Sequence, residues 1–234
     1  MVEVRSIDTR ERILDTAERL FMAHGYEGTS MRQITSEAAV NLAAVNYHFG
    51  SKESLMEEVF RRRLDWLSEE RLRALDEMEA QAGDKPLKPS QIVDAFFGTL
   101  LRMAEDENRG GMNFLRLLGR TMTEPSEFIR AFLAHRYVHV MDRFKEALFK
   151  ALPDVPKAEI VWRFHFMLGA TSYAIAGTDT LRLVTDWQIE AADKEDRLDR
   201  LLPRLMSFLL GGLRAPLPQF DTPESQEERA AKAA

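Results

Sequence analysis

The sequence predicts an all-α protein: an N-terminal three-helix helix-turn-helix unit, joined through a long helix to a larger helical body. Three observations carry that prediction. Apolar residues recur at helical spacing almost throughout, and no run alternates with period two long enough to suggest a strand. The stretch Asn41-Leu42-Ala43-Ala44-Val45-Asn46-Tyr47-His48-Phe49-Gly50-Ser51-Lys52 reads as a short helix, a tight Gly-Ser break and a new helix opening on Lys52. With 234 residues, the chain has ample length for a further buried core beyond those first fifty.

Taken in order, the first helix is expected to begin near Asp8 or Thr9, where Asp8 and Glu11 have capping-box spacing. Ile13, Leu14, Ala17, Leu20 and Phe21 form its buried stripe, and Gly25 is suited to end it. Thr29 or Ser30 caps the second helix, with Met31, Ile34 and Ala38 on one side. The third runs roughly 41–48. The fourth starts at Ser51 and keeps an apolar stripe from Leu55 through Leu64, Leu67, Leu72 and Leu75 to Met78. Gly83, Pro86 and Pro89 mark the clearest break. Helices are then expected over roughly 90–105, 111–120, 125–151, 156–178 and 196–213, with Pro203 awkwardly inside the last. Residues 186–195 read as a polar connection and 215–234 as a disordered tail. The domains follow: 8–52 for the helix-turn-helix unit and 53–214 for the body.

Composition narrows the function. Cysteine is absent, which excludes disulfides, thiolate metal sites and cysteine nucleophiles. No apolar run approaches the roughly 18 residues that span a bilayer, so a cytoplasmic protein with no membrane role is expected. No acid, base and nucleophile form a recognisable set, so no catalytic residues, no cofactor and no enzymatic role are assigned. His135 and His139 lie four apart, but no third ligand accompanies them and no metal is expected.

The net charge of −6 runs against a basic nucleic-acid footprint. Over 28–52, however, the charged residues are Arg32, Glu37 and Lys52, and the acids cluster on flanking helices. The helix-turn-helix plan places the third helix in the major groove. Asn41, Leu42, Ala43 and Ala44 form its leading turn, small enough for close approach to bases. Asn46 offers a further amide. Tyr47, His48, Lys52, Thr29 and Ser30 are suited to phosphate oxygens.

The pattern Phe21-x3-Gly25-Tyr26-x2-Thr29-Ser30-Met31-Arg32-x-Ile34, followed by Asn41–Lys52, closely resembles the TetR family of bacterial repressors over about residues 10–58. The resemblance implies phosphate contacts at Thr29, Ser30, Tyr47, His48 and Lys52, and base-facing positions at Asn41, Leu42, Ala43, Ala44 and Asn46. Many members have Tyr where this chain has Asn46. The family also implies a homodimer on a pseudo-palindromic double-stranded DNA operator, with a small effector bound in the helical body.

Residues 156–178, apolar nearly all round but sprinkled with Gly169, Ala170, Ser172, Ala174, Ala176 and Gly177, and residues 196–213 are expected to form a four-helix dimer interface. Met103, Asn113, Phe114, Arg116, Leu117, Trp162, His165, Phe166 and Tyr173 are the candidate ligand-binding residues, in a region dense in Met and Phe. Arg116 and Arg163 admit two roles, an intraprotein ion pair or the seat of an anionic effector head. The segments Phe114–Gly119 and Trp162–Ala170, together with Asn41–Lys52, are similar to the PsrA-type subgroup. That likeness implies a lipophilic effector such as a fatty acid or acyl-CoA. A helical lipid carrier without DNA function is the alternative, but it leaves residues 29–52 unexplained.

Overall fold

The computed structural model describes residues 2–123, 127–176 and 198–219. The helices are α1 (Val2–His24), α2 (Met31–Glu37), α3 (Leu42–Phe49), α4 (Lys52–Ala82), α5 (Pro89–Val93), α6 (Thr99–Arg102), α7 (Gly111–Thr123), α8 (Glu127–Ala151), α9 (Lys157–Ala176) and α10 (Leu198–Leu213). A π turn over Asp94–Gly98 joins α5 to α6, and no strand occurs among the described residues. The chain is all-α, as expected. The expected polar connection at 186–195 and the tail beyond 219 lie outside the described residues.

The first three helices form where their caps and apolar stripes dictate. Ile13, Leu14, Ala17, Leu20 and Phe21 of α1 are buried with Ile34, Ala38, Val45 and Phe49 of the next two helices and the turn between them. One expectation is corrected here: α1 begins at Val2, so Asp8 lies within it and does not cap it. Residues 2–7 contain no glycine or proline to stop the helix from extending. Ser30 does cap α2 in a full capping box, accepting from the Gln33 amide at 3.2 Å while Gln33 Oε1 accepts from the Ser30 amide at 2.8 Å.

The turn into α3 closes through two bonds, Val40 N–H to the Thr35 carbonyl at 3.0 Å and Ala39 N–H to the Ser36 carbonyl at 3.3 Å. This pattern places Ala39 at φ 51°, a left-handed conformation usually given to glycine.

Helix α4 belongs to both halves of the molecule. Ser51 caps it, accepting from the Ser54 amide at 3.1 Å. Leu55, Met56, Val59 and Phe60 are buried near its start, and Leu64, Leu67 and Leu75 further along. Glu18 of α1, 3% exposed, ties the two helices together. It accepts from Arg63 Nε at 2.6 Å and Nη2 at 2.9 Å, and from Arg62 Nη1 at 3.2 Å. Arg62 also reaches Asp15 and Glu11, at 2.5 and 3.0 Å. On the other side, α8 is zipped to α4 by Arg136 on Asp65 at 2.9 Å and by Arg143 on Asp76 and Glu79 at 2.7 and 2.9 Å.

In the body, α7 lies directly on α9. A Cβ at Gly119 would stand 2.6 Å from the Ala176 nitrogen and 2.7 Å from the Ser172 carbonyl, so only glycine permits this approach. Phe96 anchors an aromatic cluster, its ring centroid 5.0 Å from that of Phe144 and 5.1 Å from that of Phe164. Arg163 is an intraprotein residue. It pairs with Glu159 at 2.8 Å and donates to the carbonyls of Leu213 at 2.7 Å and Pro216 at 3.3 Å. Pro216, at the start of the expected tail, is thus held to α9 by this bond. Pro203 lies within α10, exposed, where it forgoes one backbone hydrogen bond.

Two stability outcomes follow. Removing Glu18 as Glu18→Gln leaves Arg63 part-buried without its partner and costs about 3–5 kcal/mol, whereas Arg19→Ala, at the exposed Arg19–Glu37 pair, costs under about 1 kcal/mol. Denaturant unfolding distinguishes them, and equal losses would show that the clamp is not special. Ala39→Gly relieves the left-handed strain and stabilises by roughly 0.5–1 kcal/mol once the added freedom of the unfolded chain is subtracted. A lower melting temperature for this variant would contradict the turn geometry.

Candidate nucleic-acid interface and ligand cavity

Helix α3 presents two different surfaces. Val45 and Phe49 are plugged into the core, 0% and 7% exposed. On the opposite side Asn41, Ala43 and Asn46 are exposed, Leu42 is 48% exposed and Tyr47 is 83% exposed. These five side chains form one solvent-facing surface that mixes amides with a methyl, a leucine and a phenol. Ala44 and His48 flank it, half-buried. Asn41 caps the helix: its Oδ1 accepts from the Ala44 amide at 2.8 Å, which leaves the side-chain NH2 to donate outward. Gly50, at φ 76°, turns the chain sharply from α3 into α4.

The expected phosphate residues separate in the structure. Ser30 is exposed at the start of α2, its oxygen engaged in the capping box. Lys52 holds its ammonium 4.0 Å from the centre of the Tyr26 ring. Burial, then the bond to Glu53, raises the Tyr26 phenol well above its ordinary pKa, so it stays a neutral donor. Thr29 must be corrected. It is 1% exposed, and its hydroxyl donates to the Gly25 and Leu20 carbonyls at 2.8 and 3.2 Å. It staples the turn between α1 and α2 and has no surface to offer a phosphate. Arg12 and Arg32 are exposed cations on this half of the chain, while Arg19 is paired with Glu37.

A second concave region lies within the body. An apolar cavity of about 250 Å³, open on one side, is bounded by α4, the π turn, α6, α7, α8 and α9, with Met122 and Ala134 exposed at its rim. Leu64, Leu67, Ser68 and Arg71 line it from α4, spaced so that they share one face. Phe97, Leu118, Val140 and Ile175 supply apolar walls. Arg71 donates from Nε to the Phe96 carbonyl at 2.9 Å and stacks its guanidinium 3.7 Å from the centre of the Phe96 ring. Burial pushes its pKa down to about 9, which leaves it cationic at neutral pH.

None of the nine expected ligand residues lines this cavity. Trp162, His165, Phe166 and Tyr173 point the other way, on the outer face of α9, and the three large rings among them are 58%, 63% and 54% exposed for Trp162, Phe166 and Tyr173. Their spacing of three, one and seven puts them on one side, opposite Phe164, Met167, Thr171 and Ile175. Phe114 is core, its ring 5.9 Å from that of Phe60, and Met103 is buried at 1% exposure. Asn113 is exposed over a surface groove beside α1, Arg116 is half-buried, and Leu117 lines a cleft beneath the Tyr26 turn. Arg71 carried a legible signal, since it falls in phase with Leu64, Leu67 and Leu75, where a charge is out of place.

Comparison with known proteins settles the family. Residues 13–59 match the model described as bacterial regulatory proteins, tetR family, and residues 94–212 match the one described as tetracyclin repressor-like, C-terminal domain. The chain belongs to the TetR family. It is 31% identical over 203 residues to the HTH-type transcriptional regulator TcmR of Streptomyces glaucescens, an alignment covering 77% of this chain and 86% of that one. Among solved structures it is similar in fold to the fatty acid degradation regulator FadR of Bacillus halodurans, with a TM-score of 0.55, 15% identity, and 89% and 97% of the two chains covered. A putative TetR regulator from Shewanella sp. PV-4 gives a TM-score of 0.52 at 18% identity, covering 86% and 97%. This TetR-family regulator therefore carries its DNA-binding unit at the N-terminus and a helical domain behind it.

Because Asn41 both caps α3 and presents an amide, two substitutions separate the roles. Asn41→Ala loses about 1 kcal/mol of stability and weakens binding to every DNA sequence. Asn41→Ser keeps the cap, so melting is unchanged, but it lowers preference for operator over random DNA by about 1 kcal/mol if the amide reads a base. Competition gel shifts measure this, and equal losses on both DNAs for Asn41→Ser would remove Asn41 from the base-reading set.

Proposed function

We propose that this TetR-family chain is a ligand-responsive repressor that binds a pseudo-palindromic operator as a homodimer and leaves it when a lipophilic effector occupies the helical body. The observation that carries the DNA reading is the α3 face, where Leu42 and Tyr47 stand in solvent beside Asn41, Ala43 and Asn46. Two such helices enter successive major grooves, roughly 34–36 Å apart. Base reading rests on close apolar fit at Leu42, Ala43 and Ala44, and on the amides of Asn41 and Asn46. Ser30, Tyr47, His48 and Lys52 meet phosphates. Such a regulator works in the cytoplasm, and no helix among the described residues is long and apolar enough to cross a membrane.

The exposed stripe of Trp162, Phe166 and Tyr173 on α9, with Phe208 at 68% exposure on α10, supports the dimer. A Cβ built at Gly169, Gly211 or Gly212 meets nothing within 4 Å, so this face has room for a second pair of helices to approach closely. The effector site is the cavity against α4. An apolar guest there, such as a fatty acid or the acyl chain of an acyl-CoA, biases the helix that carries the DNA-binding unit. Helix α7 gives a second link: Leu118 and Met122 line the cavity, while Arg120 donates to the Met22 carbonyl of α1 at 2.6 Å.

A gel shift against the promoter of the chain's own gene tests the reading, with retardation released by effector as the expected result. A carrier protein would show effector binding and no retardation. Phe166→Asp is expected to yield a folded monomer by sedimentation with operator affinity reduced at least tenfold; a dimer of unchanged affinity would move the interface elsewhere. Because few unpaired cations occur on the DNA-binding unit among the described residues, operator affinity should depend shallowly on salt. A slope implying ten or more neutralised phosphates would contradict the assigned contacts.

A further inference from the structure

We propose that the cavity against α4 selects a compact organic carboxylate, with the carboxylate seated on Arg71 and an apolar body of about eight heavy atoms among Phe97, Leu100, Leu118, Val140 and Ile175. The assignment rests on the effector-responsive regulator proposed above and names the chemistry of its site. Arg71 is the first reason. A guanidinium partly withdrawn from solvent among apolar side chains is ordinarily met by an acid. This one has a carbonyl and an aromatic face as its partners, and it makes no ion pair among the described residues. Its Nε is taken by Phe96, which leaves the two Nη groups, the pair whose parallel N–H vectors match a carboxylate.

Thr171 is the second, independent reason. It lines the same cavity from α9 at 3% exposure, and its hydroxyl has no hydrogen-bond partner. A helical threonine can ordinarily bond back to the carbonyl four residues earlier, as Ser172 does to Leu168 at 2.8 Å. A half-buried cation without an acid and a buried hydroxyl without a partner, lining one apolar space, are both satisfied by an anion with an apolar tail. The π turn over Asp94–Gly98 belongs to the same construction, since it contains the Phe96 carbonyl and ring that hold Arg71 in place.

The size follows from the volume. At roughly 30 Å³ for each water-sized group, 250 Å³ holds about eight. A medium-length acid fits, whereas a sixteen-carbon chain would have to emerge past Met122 and Ala134. Four lining residues, Leu64, Leu67, Ser68 and Arg71, sit on α4, so an anion drawn onto Arg71 acts directly on that helix.

Calorimetric titration of the full chain, without DNA, with octanoate, 1-octanol and palmitate tests the proposal. Octanoate is expected to bind at least tenfold more tightly than octanol and more tightly than palmitate. In Arg71→Met the preference for octanoate over octanol disappears while octanol still binds. Thr171→Val reduces octanoate affinity severalfold. Without ligand, Arg71→Met should melt at the same temperature as the parent or higher, because it replaces a half-buried charge that has no acid partner with an apolar side chain of similar length. Equal binding of octanoate and octanol, an unchanged ratio in Arg71→Met, tighter binding of palmitate, or clear destabilisation of Arg71→Met without ligand would each overturn it. Failure of the parent chain to retard operator DNA would instead sink the regulator reading and leave these binding results standing.

Discussion

The clamp between Glu18 and the adjacent Arg62 and Arg63 sets the position of α1 on α4, and both functional regions take their places from it. A carboxylate buried to 3% exposure is stable only if its charge is met at short range with good geometry. Arg63 does this with two nitrogens on the two oxygens of Glu18, at 2.6 and 2.9 Å. Arg62 spreads its own charge over Asp15 and Glu11 as well. Apolar packing between α1 and α4 permits sliding; this set of ion pairs has one satisfactory register. Since α2 and α3 pack on α1, the recognition face inherits that register.

Helix α4 then acts as a strut with a different task at each end. Its first turns, opened by Ser51 and Lys52, close the DNA-binding unit. Farther along, one face of the same helix forms a wall of the apolar cavity, while Arg136 and Arg143 of α8 grip its charged side. The body is otherwise tightly built, with the backbone of α7 against that of α9 at Gly119 and a cluster of phenylalanines around Phe96. A guest in the cavity therefore presses on a few stiff elements. The two that lead toward the DNA-binding unit are α4 itself and α7, through Arg120 and Met22.

Much of this was legible in the sequence, and the failures have a common cause. Caps and periodicity located α2, α3 and α4 to within a residue or so, because Ser30, Asn41 and Ser51 act locally. Periodicity says which residues share a face; it does not say which way that face points. Trp162, His165, Phe166 and Tyr173 are expected at the ligand, yet α9 is apolar on both sides and these four share the face that points out. Thr29 failed for a related reason, since a hydroxyl next to a cap serves a turn as readily as a phosphate, and only the fold shows Gly25 and Leu20 waiting for it. Arg71 stands out as a charge in the apolar phase of α4, but what it faces, and any meaning for Thr171, emerges only with the neighbours across the cavity.

The central claim is that occupancy of the cavity moves the DNA-binding units through α4, and the distance between those units tests it most directly. The chain has no cysteine, so Ser36→Cys, exposed on α2, places a single spin label in each protomer. Pulsed electron resonance on the dimer should show an interlabel distance suited to successive major grooves without ligand. Octanoate should shift that distance over the same concentration range in which operator binding is lost. Loss of operator binding with an unchanged distance distribution would contradict the account.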